Sequence, residues 1–257
     1  MAQPKSRRVI NREEYDAVLF DLDGVITDTA SVHATCWKKM FDEYLQERAT
    51  RTGEAFRPFD LAADYRLYVD GQPRFDGVRH FLASRGIQLP EGSPDDPPGL
   101  ETVCGLGNRK NDMVNQVIEN VGVKSYEGSV RLIHQLRDRG FKIAVVTSSQ
   151  NCTTVLKAAK LDGIFDAQID GNTIRTQHLA GKPAPDTFLL GAKVLGAEPR
   201  RTVVIEDAIS GVEAGFNGKF GLVIGVARKG NAEELKQHGA DVVVDDLSEL
   251  VSAATVA

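Results

Sequence analysis

Four apolar residues, Ala17 to Phe20, are followed at once by Asp21, Leu22, Asp23 and Gly24. An unbroken apolar run this short, stopped by acids and glycine, predicts a strand buried on both faces. Beyond it Trp37, Met40, Phe41, Tyr44 and Leu45 recur at helical spacing and predict an amphipathic helix over 31–49. The next strand-like run is 142–146, ending in Thr147, Ser148 and Ser149, and a helix over 129–139 with Gly140 as its stop precedes it. A parallel strand–helix–strand unit takes roughly 30 residues, whereas residues 21–141 separate these two strands. The connection must therefore hold a unit of its own. Within it, helices over 75–85 and 109–121 close on Gly86 and Gly122, so the insert 31–124 reads as all-helical, with the Pro- and Asp-rich stretch 89–100 as an exposed loop.

From Phe141 onward strands and helices alternate: strand 142–146, helix 150–160, strand 165–169, helix 186–195, strand 202–205, helix 209–216, then strands 222–226 and 241–244. This order predicts an α/β fold, a doubly wound parallel sheet covered on both faces, built from 1–30 and 125–257 around the helical insert. In such sheets ligands sit beyond the carboxyl ends of the strands, which brings Asp21, Thr147 and the acids after Ile205 around one crevice.

Composition narrows the class without changing this picture. The chain has 257 residues, 42% hydrophobic and 26% charged, enough for one large or two modest domains. A net charge of −5 argues against nucleic-acid binding. No run approaches membrane-spanning length and the basic start has no apolar core of a signal peptide, so neither membrane insertion nor secretion is expected. Cys36, Cys104 and Cys152 are odd in number and widely spaced, which suits the reducing cytoplasm and structural roles.

The chemistry gathers at the strand ends. Asp21 and Asp23, two residues apart, project to the same side of an extended chain. Carboxylates at the end of a buried strand need a cation or basic groups from elsewhere in the chain. One could attack an electrophile while the other manages a proton; the plainer alternative is a pair of turn acids. Lys182 lies in GKPAPDTF ahead of a helix, and Glu206 and Asp207 close the apolar run TVVI.

The stretch FDLDGVITDTA resembles motif I of the haloacid dehalogenase superfamily and, at full length, its β-phosphoglucomutase branch. Thr147 resembles motif II, Lys182 motif III, and Glu206 with Asp207 the acidic motif IV, all in order between Tyr15 and Leu250. The resemblance implies a Rossmann-like core, a helical cap domain at 31–124, and two-step phosphoryl transfer through an aspartyl-phosphate. Asp21 is then the nucleophile, Asp23 the general acid and base, and Thr147 and Lys182 the groups that hold the phosphoryl oxygens. Mg²⁺ is implied on Asp21, Asp207 and the backbone carbonyl of Asp23, with Glu206 acting through water.

The same resemblance implies that a small phosphorylated sugar is the substrate. β-Glucose 1-phosphate and glucose 6-phosphate would interconvert through β-glucose 1,6-bisphosphate, with a sugar-phosphate phosphatase as the alternative and a monomer as the expected state. His33 corresponds to a cap-hinge histidine that aligns Asp23, Arg74 to the arginine that grips the second phosphate, and Lys110 and Asn111 to sugar contacts. Ser148, Ser149 and Asn151 are candidates for phosphate binding. Gln150 departs from the pattern, standing where the branch usually has Lys or Arg, and leaves that site one positive charge short.

Overall fold

The computed structural model describes residues 10–228 and 230–251. The basic start of the chain and those parts of the expected 1–30 and 125–257 core at residues 1–9, 229 and 252–257 lie outside the described residues.

Six strands form one sheet: β1 (Ala17–Phe20), β2 (Lys142–Val146), β3 (Ala167–Ile169), β4 (Thr202–Glu206), β5 (Leu222–Val226) and β6 (Val242–Val244). They lie in the order β3-β2-β1-β4-β5-β6 and pair in parallel throughout. The order reverses direction at β1, and the switch point of such a sheet is where a ligand crevice opens. β1 is fully enclosed between β2 and β4, which is why its four residues are apolar and why the first polar residue waits until position 21.

Between β1 and β2 run α1 (Ala30–Thr52), α2 (Arg74–Ser84) and α3 (Val103–Val121), with a π-helical turn at Tyr65–Val69. Trp37, Phe41, Phe59 and Phe81 form the centre of their own cluster, with Trp37 stacked on Phe41 at 5.3 Å and Phe41 on Phe59 at 5.2 Å. Val114 and Ile118 of α3 and Cys36 of α1 leave that cluster and join the apolar layer against the sheet.

The remaining helices are α4 (Glu127–Asp138), α5 (Cys152–Ala158), α6 (Gly171–Thr176), α7 (Asp186–Val194), α8 (Ile209–Asn217) and α9 (Ala232–Gln237). Side chains alternate along each strand: Val18, Phe20, Ile143, Val145, Val203 and Ile205 meet α4 and α5, while Leu19, Val146 and Val204 meet α7 and α8. Burying each such side chain contributes about 1.5–3 kcal/mol, so a polar residue within these strands would be strongly disfavoured.

Several boundaries differ from those expected from sequence. Helix α3 starts at Val103, not 109, because the Thr102 hydroxyl accepts the amide proton of Gly105 and caps it. Lys110 and Asn111 therefore stand inside the helix and not at its start. Helices α6 and α9 were not expected: with six residues each they are too short to print a helical period. Strand β3 starts at Ala167 and not 165, where the Asp166 carboxylate instead accepts the amide proton of Ile143. Among the described residues no helix is long and apolar enough to cross a membrane.

Candidate active site

The carboxyl ends of β1, β2 and β4 carry the site. Asp21 follows β1 directly, and its amide donates to the Ile205 carbonyl at 3.0 Å, which ties it to β4. Lys182, in the loop before α7, donates to Asp21 Oδ1 and to Glu206 Oε1, each at 2.6 Å, and lies 4.9 Å from the Phe188 ring centre. The other Glu206 oxygen accepts the Ala208 amide at 2.9 Å, so Glu206 is engaged on both sides.

Asp21, Glu206 and Asp207 are all buried, each with a carboxylate oxygen within 4.8 Å of the others, and can hold a metal ion. Gly24, at φ +91°, makes room for this: a Cβ there would stand 2.2 Å from Asp207 Oδ2.

The charge balance at this floor is unfavourable to the acids. Burial pushes the Asp21 carboxyl well above the usual carboxylate range; Lys182 opposes the rise, and Glu206, Asp23 and Asp207 add to it. Burial alone would lower Lys182, but Asp21 and Glu206 outweigh it and hold the ammonium above its ordinary value. One lysine thus faces several carboxylates, and hard oxygen donors gathered this closely fit a divalent cation.

Asp23 sits above the floor on a polar ring. The Thr29 hydroxyl donates to its Oδ1, and Thr147 Oγ1 lies 3.5 Å from its Oδ2. His33, in the first turn of α1, places Nε2 3.6 Å from Asp23 Oδ1, while its Nδ1 is 2.7 Å from Lys110 Nζ. Burial, reinforced by the Lys110 charge, drops His33 to about 4, so the ring is neutral near pH 7. A lysine ammonium can only donate, which assigns the ring proton to Nε2, facing Asp23.

Lys110 is itself buried over the Trp37 ring at 4.8 Å, and burial lowers it to about 8. Trp37 belongs both to the insert core and to the cleft wall.

Thr147 ends β2, and its Oγ1 accepts the Ser149 amide at 3.1 Å. Ser148 Oγ donates to the Gly71 carbonyl at 2.8 Å and so links sheet to insert. The Asn151 side-chain amide donates to Asn111 Oδ1 at 3.0 Å.

A cleft of about 490 Å³ opens over this set, lined by Asp21, Asp23, His33, Arg74, Lys110, Asn111, Thr147, Ser148, Ser149, Gln150 and Asp207 among others. Lys182, Glu206 and Asn151 are not on its lining. Two residues that sequence reasoning passed over belong here. Thr29, six positions after Asp23, supplies the hydroxyl that holds it, and its place in the DGVITDT run was the available signal. Arg175 on α6 also lines the cleft; a lone arginine in a polar connection carries no distinguishing pattern.

The family model for haloacid dehalogenase-like hydrolases matches residues 15–218, and the chain belongs to this family. A β-phosphoglucomutase of Mycobacterium tuberculosis is 54% identical over 242 residues, 93% of this chain and 92% of that protein. Hexitol phosphatase A of Escherichia coli is 26% identical over 233 residues, 90% of this chain and 91% of that protein. Among solved structures, a β-phosphoglucomutase from Clostridium difficile matches with a TM-score of 0.73 and 26% identity, covering 92% of this chain and 93% of that one. The chain is accordingly an enzyme of the mutase or phosphatase kind.

Proposed function

We propose that this enzyme is a Mg²⁺-dependent β-phosphoglucomutase acting through an aspartyl-phosphate on Asp21. The observation that carries the mutase reading is Arg74: it lines the same cleft as Asp21, and its Nε and Nη1 are shielded from water with no hydrogen-bond partner. Buried guanidinium nitrogens left open in a cleft call for an anion, and a mutase, unlike a phosphatase, must hold a second phosphate while the first reacts.

In the first half-reaction an Asp21 oxygen attacks the phosphorus of the sugar bisphosphate, and the bond to the sugar oxygen breaks as Asp23 gives that oxygen its proton. In the second, a hydroxyl of the incoming sugar monophosphate passes its proton to Asp23 and takes the phosphoryl group from Asp21. The β-glucose 1,6-bisphosphate formed in the second step must turn around before the first step repeats on its other phosphate. The Thr29 hydroxyl holds the Asp23 carboxylate toward the leaving oxygen, with His33 beside it. Lys182 and the Thr147 hydroxyl, with the amides of that turn, hold phosphoryl oxygens.

Asp21 and Asp207, with the backbone carbonyl of Asp23, would hold Mg²⁺, and Glu206 would reach it through water. When bound, the ion neutralises charge on the transferring group.

The residues 31–124 act as a cap that closes over the core and keeps water from the phosphoenzyme. Lys110, Asn111, Ser148, Ser149 and Asn151 form the sugar and phosphate surround. A monomer in the reducing cytoplasm is part of this reading, in keeping with three free, buried cysteines.

The test is to offer β-glucose 1-phosphate with Mg²⁺ and a trace of bisphosphate and follow glucose 6-phosphate against free phosphate. Glucose 6-phosphate should form much the faster; faster release of phosphate would replace the mutase by a phosphatase.

A further inference from the structure

Three arginines line the cleft, and two of them make no ion pair among the described residues. Arg79 is neutralised by Glu91 at 2.6 Å and Asp76 at 2.5 Å. Arg74 is different: it opens α2 on the insert side, its guanidinium lies 4.9 Å from the Phe75 ring, and two of its nitrogens are sealed and unpartnered. Arg175 comes from the opposite side, on α6 after the edge strand β3, and it makes no ion pair among the described residues. Burial works against the Arg74 charge and the like charge of Arg175 works against it too, with Asp112 opposing only part of the effect.

Two guanidiniums that line one cleft, near enough for their like charges to oppose each other and with no ion pair among the described residues, are unfavourable until a multiply charged anion arrives. The neutral residue beside them is Gln150: a Cβ added at Gly171, the first residue of α6, would stand 2.7 Å from its side chain. Position 150 brings no charge to this wall, and the helix packed against it does.

We infer that Arg175 joins Arg74 to form the second phosphate site, one guanidinium from the sheet side and one from the insert, so that the non-transferring phosphate bridges the two. This rests on the mutase reading. It also gives bound substrate a mechanical role. Ser148 Oγ to the Gly71 carbonyl, 2.8 Å, Ser210 Oγ to the Asp70 carbonyl, 2.9 Å, and Asn151 to Asn111, 3.0 Å, are neutral links that already join insert and core here. A phosphate dianion gripped from both sides adds a charged one.

The experiment is calorimetric titration of β-glucose 1,6-bisphosphate, with Mg²⁺ present, into the full-length Asp21→Asn protein, which cannot transfer the phosphoryl group. Arg175→Gln in that background should weaken binding about tenfold or more, as expected for one lost charge-assisted contact. Arg175→Glu should weaken it further by reversing the charge. Arg175 is exposed, and unchanged thermal midpoints will show that both variants are folded. Arg175→Gln binding like its parent, or Arg175→Glu binding no worse than Arg175→Gln, overturns the inference alone. A parent that binds the bisphosphate no more tightly than β-glucose 1-phosphate overturns the mutase reading, and the inference with it.

Discussion

Replacing Lys182 by methionine probes the buried charge cluster most directly. Methionine keeps the unbranched shape and the contact with Phe188, but removes the ammonium that Asp21 and Glu206 share at 2.6 Å each. Glu206 is fully buried and Asp21 only 6% exposed, so water can replace little of what is lost. Removing one partner of a buried ion pair costs about 3–5 kcal/mol. Two carboxylates are stranded here, which points to the upper end. Against a total stability of about 5–15 kcal/mol the variant should still fold. At about 2–4 °C per kcal/mol for a protein of this size, its midpoint should drop by roughly 10–20 °C.

The pH dependence has a definite sign. Burial already holds Asp21 above its ordinary value while Lys182 opposes the rise. Losing the lysine raises it further, so the deficit is full at neutral pH and shrinks as pH falls and Asp21 takes up a proton. Urea unfolding in chelator at about pH 7.5 and about pH 5, with wild type alongside, measures the difference. Excess Mg²⁺ should recover part of it by binding the folded state. A deficit below about 1 kcal/mol in chelator, smaller than a buried pair can cost, would refute the reasoning. So would a deficit that grows toward acid.

Asp21→Asn should abolish turnover while the fold survives, and mass spectrometry of quenched wild-type enzyme should find phosphate on Asp21 alone; phosphate on any other carboxylate would sink the mechanism. Asp207→Asn should lower Mg²⁺ affinity and activity together, whereas full wild-type activity in excess chelator would contradict a metal at this floor. Lys110, lowered by burial to about 8, is charged below that pH and neutral above it. The KM for sugar phosphate should therefore rise as pH climbs through about 8 in the wild type and lose that limb in Lys110→Met; a wild-type KM flat across this range would remove Lys110 from the binding surface.

Lys182, in a proline-framed loop, was legible only through resemblance, whereas Asp21, Glu206 and Asp207 were legible as a set because each carries a local signature, that of an acid stopping a buried apolar strand. Such signatures survive without knowledge of the fold, since a charge in that position is costly anywhere and must be explained. His33, Arg74, Lys110 and Asn111 were legible only through resemblance, because on a helix face or in a loop a polar residue is unremarkable in itself. The structure brings all four to the cleft wall, and it adds the reason Lys110 differs from a surface lysine: Trp37 lies under it and His33 Nδ1 accepts its hydrogen bond.

The alternation of buried strands with helices, the break between the first two strands and the acids at strand ends determined the parallel sheet, the helical insert and the floor of the site from sequence alone. Periodicity reports what one segment buries, and each of those features is a property of one segment. Thr29 bonded to Asp23, Lys110 sealed against Trp37 and Arg175 on the same cleft as Arg74 were decided only in three dimensions. Arg175 shows why most plainly. It sits on a helix of six residues with no hydrophobic period, and it reaches the cleft because β3 is the edge strand on that side. Strand order and the packing of the insert against the sheet layer are long-range pairings, and no window of sequence around Arg175 contains them.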